Sequence, residues 1–203
     1  MFGALSFVLV RCTPTMQSYR FSLWAPNATS VEVLPAIAPG NAPPRWHSTH
    51  LNLTGNSSRS AHGSTWWWSG TVEGVIPGDG YLFRINDNFL AIDPRGRDIA
   101  MDSSCSVVPP SYAFTHARYT VAKEHAVYYE LLVGAFTPEG TLDAAAEKLG
   151  YLHDLGVTVI ELMPVMHSCS SFRDWGYCPR APYAVRPELG EWVSRWVDER
   201  VSE

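Results

Sequence analysis

Residues 127–164 read VYYELLVGAFTPEGTLDAAAEKLGYLHDLGVTVIELMP. Val127 to Val133 is an apolar run broken only by Glu130, which predicts a buried strand. Thr141 is placed to cap a helix. Its hydroxyl accepts an orphan N–H of the first turn, and Asp143 puts an anion where the helix dipole favours one. Leu142, Ala145, Ala146, Leu149, Leu152 and Leu155 then recur at helical spacing. Gly156 suits the left-handed position that ends a helix. Val157 to Met163 is a second apolar strand, closed by Pro164. Strand, helix and strand with short connections predict parallel pairing through a right-handed crossover. Continuously apolar strands predict a sheet covered on both faces.

Upstream the period changes. Tyr19, Phe21 and Leu23 alternate with Arg20 and Ser22, and Val31 and Val33 flank Glu32. Pro26-Asn27 marks the turn between these runs. Thr65 to Val72 and Tyr81 to Ile85 are further strands, separated by Pro77-Gly78-Asp79-Gly80. Asn86-Asp87-Asn88 turns the chain into Phe89 to Ile92. Short strands with regular turn signals predict a β-sandwich over residues 19–95. Pro35 to Ser64 reads as a polar loop or insertion, with a brief strand at Leu51-Asn52-Leu53. Residues 96–126, with Pro109-Pro110 and little periodicity, read as a surface connector between two domains.

Downstream, His167 to Tyr183 reads as a loop holding Asp174-Trp175-Gly176-Tyr177. In α/β proteins the loops beyond the carboxyl ends of parallel strands hold ligands. Residues 186–203 form a tail. Trp192, Val193, Trp196 and Val197 predict an amphipathic helix over Glu191 to Glu203.

Composition narrows the class. The chain has 203 residues, 46% of them apolar and 17% charged, which is enough to bury a core. The formal net charge of −5 disfavours a nucleic-acid partner. No apolar run reaches roughly 18 residues, so no membrane-spanning helix is expected. Nothing in the sequence sets the oligomeric state.

Residues 1–18 read as a leader or a disordered segment. Met1 to Val10 is an apolar run that could be a signal-peptide core, although it lacks a basic start and a clear cleavage site. Asn27-Ala28-Thr29, Asn52-Leu53-Thr54 and Asn56-Ser57-Ser58 match the glycosylation sequon and gain meaning only in a secreted chain. Cys12, Cys105, Cys169 and Cys178 show no paired metal-ligand spacing. They read as unrelated thiols in a reducing compartment rather than as a metal cluster with His167. His47 and His50 sit in a polar loop, and no metal or cofactor is expected. The cysteine usage favours the cytoplasm, with secretion left open.

Longer motifs carry a resemblance. Phe21-Ser22-Leu23-Trp24-Ala25-Pro26-Asn27-Ala28, Trp68-Ser69-Gly70, Pro77-Gly78-Asp79-Gly80-Tyr81-Leu82-Phe83-Arg84-Ile85 and Asp93-Pro94 together resemble carbohydrate-binding module 48. Tyr129-Glu130-Leu131-Leu132-Val133-Gly134-Ala135-Phe136-Thr137-Pro138-Glu139-Gly140-Thr141 resembles the first barrel strand of glycoside hydrolase family 13. Leu155-Gly156-Val157-Thr158 and Glu161-Leu162-Met163-Pro164-Val165 resemble its second. Trp175-Gly176-Tyr177 and Tyr183-Ala184-Val185 follow in the family's order. The nearest branches are the trehalohydrolases and glycogen branching enzymes. The resemblance covers residues 19–185 and ends where Arg186-Pro187-Glu188-Leu189-Gly190 leads into the tail. It implies an all-β immunoglobulin-like sandwich followed by an incomplete (β/α)8 TIM-barrel fragment over residues 127–185. A closed barrel needs about 250 residues, more than this chain holds.

The resemblance implies an α-glucan partner such as starch, glycogen or a maltooligosaccharide. It also implies that the family's catalytic Asp, Glu and Asp lie on later strands. No catalytic residue is therefore assigned. Glu130 and Glu161 read as hydrogen-bonded strand carboxylates, and Asp174 as a turn former. The family's counterpart of Tyr177 stacks on a sugar ring, which an aromatic face suits. Trp175 accompanies it. Trp66, Trp67 and Trp68 alternate between faces of a strand. By the resemblance Trp68 is the structural tryptophan, which leaves Trp66 and Trp67 as candidate glucan contacts. Two readings stand: the N-terminal fragment of an α-glucan-active glycoside hydrolase, or a non-catalytic glucan-binding or regulatory module.

Overall fold

Alternation along β1 (Gln17–Trp24) buries Phe21 and Leu23 and leaves Ser18, Arg20, Ser22 and Trp24 exposed. This computed structural model describes residues 17–54, 66–111, 120–169 and 175–190. The strands that follow β1 are β2 (Val31–Ala36), β3 (Thr49–His50), β4 (Asn52–Thr54), β5 (Trp67–Val75), β6 (Gly80–Ile85), β7 (Phe89–Ala91) and β8 (Ser106–Val107). One antiparallel sheet has the order β1-β5-β4. The other runs β3-β2-β6-β7, with β8 also paired to β6.

Both sheets contribute to one core. Phe21, Leu23, Val72 and Val75 come from the first sheet, and Val31, Val33, Tyr81 and Phe83 from the second. The rings of Phe21 and Tyr81 meet edge-on at 4.9 Å. The tight crossing at Gly80 admits no side chain, because a Cβ there would lie 2.5 Å from the Ala36 carbonyl oxygen. Asn86 and Asp87 take positive φ in the expected turn between β6 and β7, and Asn86 Oδ1 accepts the Thr29 N–H at 2.7 Å.

Two upstream expectations need correction. The polar stretch 35–64 is not merely a loop. It supplies β3, β4 and two core residues, Trp46 and Leu51. Trp46 Nε1–H donates to buried Asp79 at 3.0 Å, so its polar tip is satisfied inside. Nor does the connector simply follow the surface. Ile99, Ala100, Cys105, Val107 and Val108 are all buried. Pairing of β8 with β6 draws this segment onto the second sheet.

The later region comprises β9 (Tyr128–Leu131), α1 (Val133–Phe136), α2 (Leu142–Ala146), α3 (Leu149–Asp154) and β10 (Val159–Leu162). Strands β9 and β10 pair in parallel, from Tyr128 opposite Val159 to Leu131 opposite Leu162. Thr141 caps as expected, accepting the Ala144 N–H at 3.2 Å, and Gly156 has φ +92°. Val133 is helical rather than extended. It lies within an apolar run because it is buried, and burial alone does not separate strand from helix. The expected single helix breaks after α2, where the Lys148 N–H bonds to Ala145, three residues back. That tight turn ends the α-helical ladder.

The expected loop after β10 is a hairpin of β11 (Met166–Ser168) and β12 (Pro179–Val185). The ladder extends through the Cys169 N–H to the Cys178 carbonyl at 2.9 Å, and the two residues form a disulfide with a Cα–Cα distance of 5.5 Å. The reading of unrelated thiols is thus corrected for this pair, because antiparallel pairing brings together residues that are not C-x-x-C neighbours. Cys105 is free and buried.

Coverage of the parallel strands also departs from expectation. Leu131, Val133, Leu152 and Leu189 form a core, yet on the opposite face Tyr128 is 64% exposed and Glu130 and Glu161 are exposed beside it. The pair is covered on one side only. Met1 to Val10, Cys12, Asn56, Asp174 and the expected helix over Glu191 to Glu203 lie outside the described residues. Among the described residues, no helix is long and apolar enough to cross a membrane.

Candidate functional site

Ser22 on β1 stands opposite Ser69 on β5, and Ser69 stands opposite Asn52 on β4. One register step away, Trp24, Trp67 and Thr54 align across the same strands. The outer face of the first sheet thereby forms a groove of about 360 Å3, lined by Arg20, Ser22, Thr54, Trp67, Ser69 and Arg95. Arg20 donates to Ser69 Oγ at 3.2 Å, and Ser69 Oγ donates to Thr54 Oγ1 at 3.4 Å.

Arg95 is held from below. Its backbone N–H donates to Asp93 Oδ1 at 2.8 Å. Asp93 in turn accepts the Tyr81 hydroxyl at 2.9 Å, and its N–H reaches Ser106 Oγ at 2.8 Å. Burial pushes the Asp93 carboxyl above its ordinary range, against the hydrogen bonds from Arg95 and Tyr81. Burial, followed by the Asp93 charge, drives the Tyr81 phenol well above its usual value. Glu32 sits on β2. Burial raises its carboxyl, but hydrogen bonds from Ser48 and Arg84 and the Arg84 charge outweigh that and leave it lowered.

The candidate residues separate into two groups. Trp68 turns inward and donates Nε1–H to the Ala25 carbonyl at 3.1 Å, the structural role the resemblance implied. Trp67 faces outward, with the Arg95 guanidinium 5.0 Å from its ring centroid. One face of that ring is therefore occupied. Trp66 is 40% exposed and lies outside the groove lining. Trp175 and Tyr177 are 62% and 69% exposed, on the turn of the β11–β12 hairpin. A link between groove and hairpin is Arg95, which also lies 5.7 Å from the Tyr183 ring centroid.

Glu130 and Glu161 stand side by side in the parallel register and are exposed. Among the described residues neither carboxylate accepts a hydrogen bond, so the expected satisfied strand carboxylates are instead solvated. Sequence reasoning missed Arg95 and Trp24. The alternation along β1 contained the signal for Trp24, whereas Arg95 showed none.

A second junction lies at His167, whose Nε2 is 2.9 Å from Ser103 Oγ. Ser103 has φ +60°, which turns its side chain toward the hairpin. Ile92, Ile99, Ala181 and Ala184 pack together, joining the former connector to β12. Burial, then the Arg180 charge, lowers the His167 pKa; Glu188 opposes this and Arg186 adds to it. Its Nδ1 is buried with no hydrogen-bond partner among the described residues. Among those residues no group of three or more His, Cys, Asp or Glu is arranged to hold a metal ion.

Residues 10–102 match the family model for carbohydrate-binding module 48, the isoamylase N-terminal domain. The chain carries a carbohydrate-binding module 48 and matches the N-terminal region of glycoside hydrolase family 13 proteins that contain it. It is 34% identical over 176 residues to the malto-oligosyltrehalose trehalohydrolase of Brevibacterium helvolum, covering 84% of this chain and 28% of that protein. It is 32% identical over 185 residues to the 1,4-alpha-glucan branching enzyme GlgB 2 of Streptomyces coelicolor, covering 84% of this chain and 23% of that protein. A crystal structure of a candidate alpha amylase from Salmonella typhimurium superposes with a TM-score of 0.64 at 33% identity, over 84% of this chain and 27% of that one. The pullulanase of Bacillus acidopullulyticus shares the fold at 18% identity, with a TM-score of 0.66 over 87% of this chain and 25% of that one. The chain spans less than a third of the length of these relatives and matches their N-terminal region.

Proposed function

We propose that the chain is the glucan-binding, non-catalytic front of an α-glucan-active enzyme. In this reading residues 19–95 form the binding module, and residues 127–185 are the first two strands of a (β/α)8 barrel with their connecting helices. The observation that carries it is the parallel register of β9 and β10, joined through helices and followed by a hairpin that exposes Trp175 and Tyr177. Tyr177 and Trp175 offer aromatic faces to a sugar ring beyond the carboxyl ends of these strands. Trp66 offers another on the module.

Retaining cleavage needs a nucleophile and a general acid about 5–5.5 Å apart across the bond. Glu130 and Glu161 are not the positions the family uses, so hydrolysis or transfer falls to carboxylates on later strands.

Affinity electrophoresis of the full chain through glycogen-loaded gels tests the proposal. Retardation is expected, and Tyr177→Ala or Trp66→Ala should each weaken it by about 0.5–1.5 kcal/mol, up to roughly tenfold. Unretarded migration of the wild-type chain would overturn glucan binding.

A further inference from the structure

The groove on the outer face of the first sheet has a chemistry that a neutral glucan does not explain. The guanidiniums of Arg20 and Arg95 and the hydroxyls of Ser22, Thr54 and Ser69 line one space, and no carboxylate lines it among the described residues. This occurs in a chain whose formal net charge is −5. The ion pairs of the described residues involve neither arginine. Like charges lining one groove repel unless an anion lies between them.

Arg95 is also preorganised. Trp67 and Tyr183 flank its guanidinium at 5.0 and 5.7 Å, and Asp93 anchors its backbone. A guanidinium stacked on rings keeps a rigid fork of N–H donors for bidentate contact with an oxyanion. Among the described residues, nothing accepts a hydrogen bond from that fork. Ordering it in advance lowers the entropy lost on binding.

We propose that this groove binds a sugar phosphate. The phosphate lies against Arg20 and Arg95, and the sugar hydroxyls meet Ser22, Thr54 and Ser69. A phosphate monoester carries about −1.5 to −2 charges at pH 7, which matches two guanidiniums better than a single carboxylate does. The site is distinct from Trp66 and Tyr177, so it does not depend on the glucan reading.

Isothermal titration of the full 203-residue chain tests it, with glucose 6-phosphate, inorganic phosphate, glucose and maltotetraose as separate probes. Glucose 6-phosphate should bind more tightly than inorganic phosphate, and glucose should give no signal at this groove. Raising the salt should weaken binding, since screening acts on exposed charges. Arg20→Gln and Arg95→Gln should each weaken glucose 6-phosphate by about tenfold and leave maltotetraose unchanged. Arg20 stands exposed on an outer strand face, so Arg20→Gln remains informative if Arg95→Gln destabilises the junction. Equal affinity for phosphate and glucose 6-phosphate would reduce the site to a plain anion site and overturn the proposal. So would no binding of either, or binding unchanged by Arg20→Gln. Loss of maltotetraose binding alone would count only against the glucan reading.

Discussion

Phe83 on β6 and Tyr128 on β9 are both aromatic residues on strands, yet one is fully buried and the other 64% exposed. The sandwich meets its own needs: two sheets face each other, and each covers the apolar side of the other. The β9–β10 pair has helices and β12 on the side of Leu131, and Tyr128 stands open on the other beside Glu130 and Glu161. Apolar sequence thus states a demand for burial, and only the presence of a partner layer meets it. The first region buries its apolar side chains between its own two sheets, and the second leaves one strand face open.

The sharpest way to break the contrast is to truncate one residue from each region. Phe83→Ala should cost about 3–5 kcal/mol, as fully buried aromatics do, read as a shift in urea midpoint. Leu162→Ala, at a position already 47% exposed, should stay within about 0.5 kcal/mol. Equal losses would mean that Leu162 is covered in solution.

An intermediate effect is expected at the hairpin. The disulfide between Cys169 and Cys178 closes a short loop, with a sequence separation of 9. In the chain-entropy model such a loop is worth about 2–3 kcal/mol. Cys169→Ser should loosen β11 and β12, seen as faster amide exchange there, while exchange in β5 and β6 stays slow. Acceleration across the sandwich would show that the two regions unfold as one.

The smallest effect is a pH dependence at their junction. Burial holds the His167 pKa below its ordinary value, so the unfolded chain takes up the proton first as pH falls. Its contribution is complete above the ordinary histidine value and is lost as pH falls from there toward the lowered one. Thermal melts between pH 7.5 and about 5.5 should show this loss, and His167→Asn should remove it from the profile. A profile unchanged by the substitution would place the pH sensitivity elsewhere.

Much of this structure was legible from residue spacing. Thr141, the leucine repeat and Gly156 announced the crossover, and alternation around Phe21 and Val33 announced the sandwich strands. Trp46 was not legible, because no period surrounds it in a Pro- and Asn-rich stretch. Its burial depends on Asp79, 33 residues away, accepting its indole N–H. The Cys169–Cys178 pairing was hidden for a related reason. Their spacing fits no short motif, and the β11–β12 register alone brings them together.

The amino-acid sequence determined the main sandwich strands and the two parallel strands, where the main crossover begins and ends, and which family the chain resembles. Those features rest on local propensity, periodicity and ordered motifs, all of which are properties of neighbouring residues. The tertiary structure decided that Arg95 lies between Trp67 and Tyr183, that Arg20 shares its groove, and that Tyr128 stays uncovered. These depend on segments far apart in the chain meeting in space, and no local pattern encodes such a meeting.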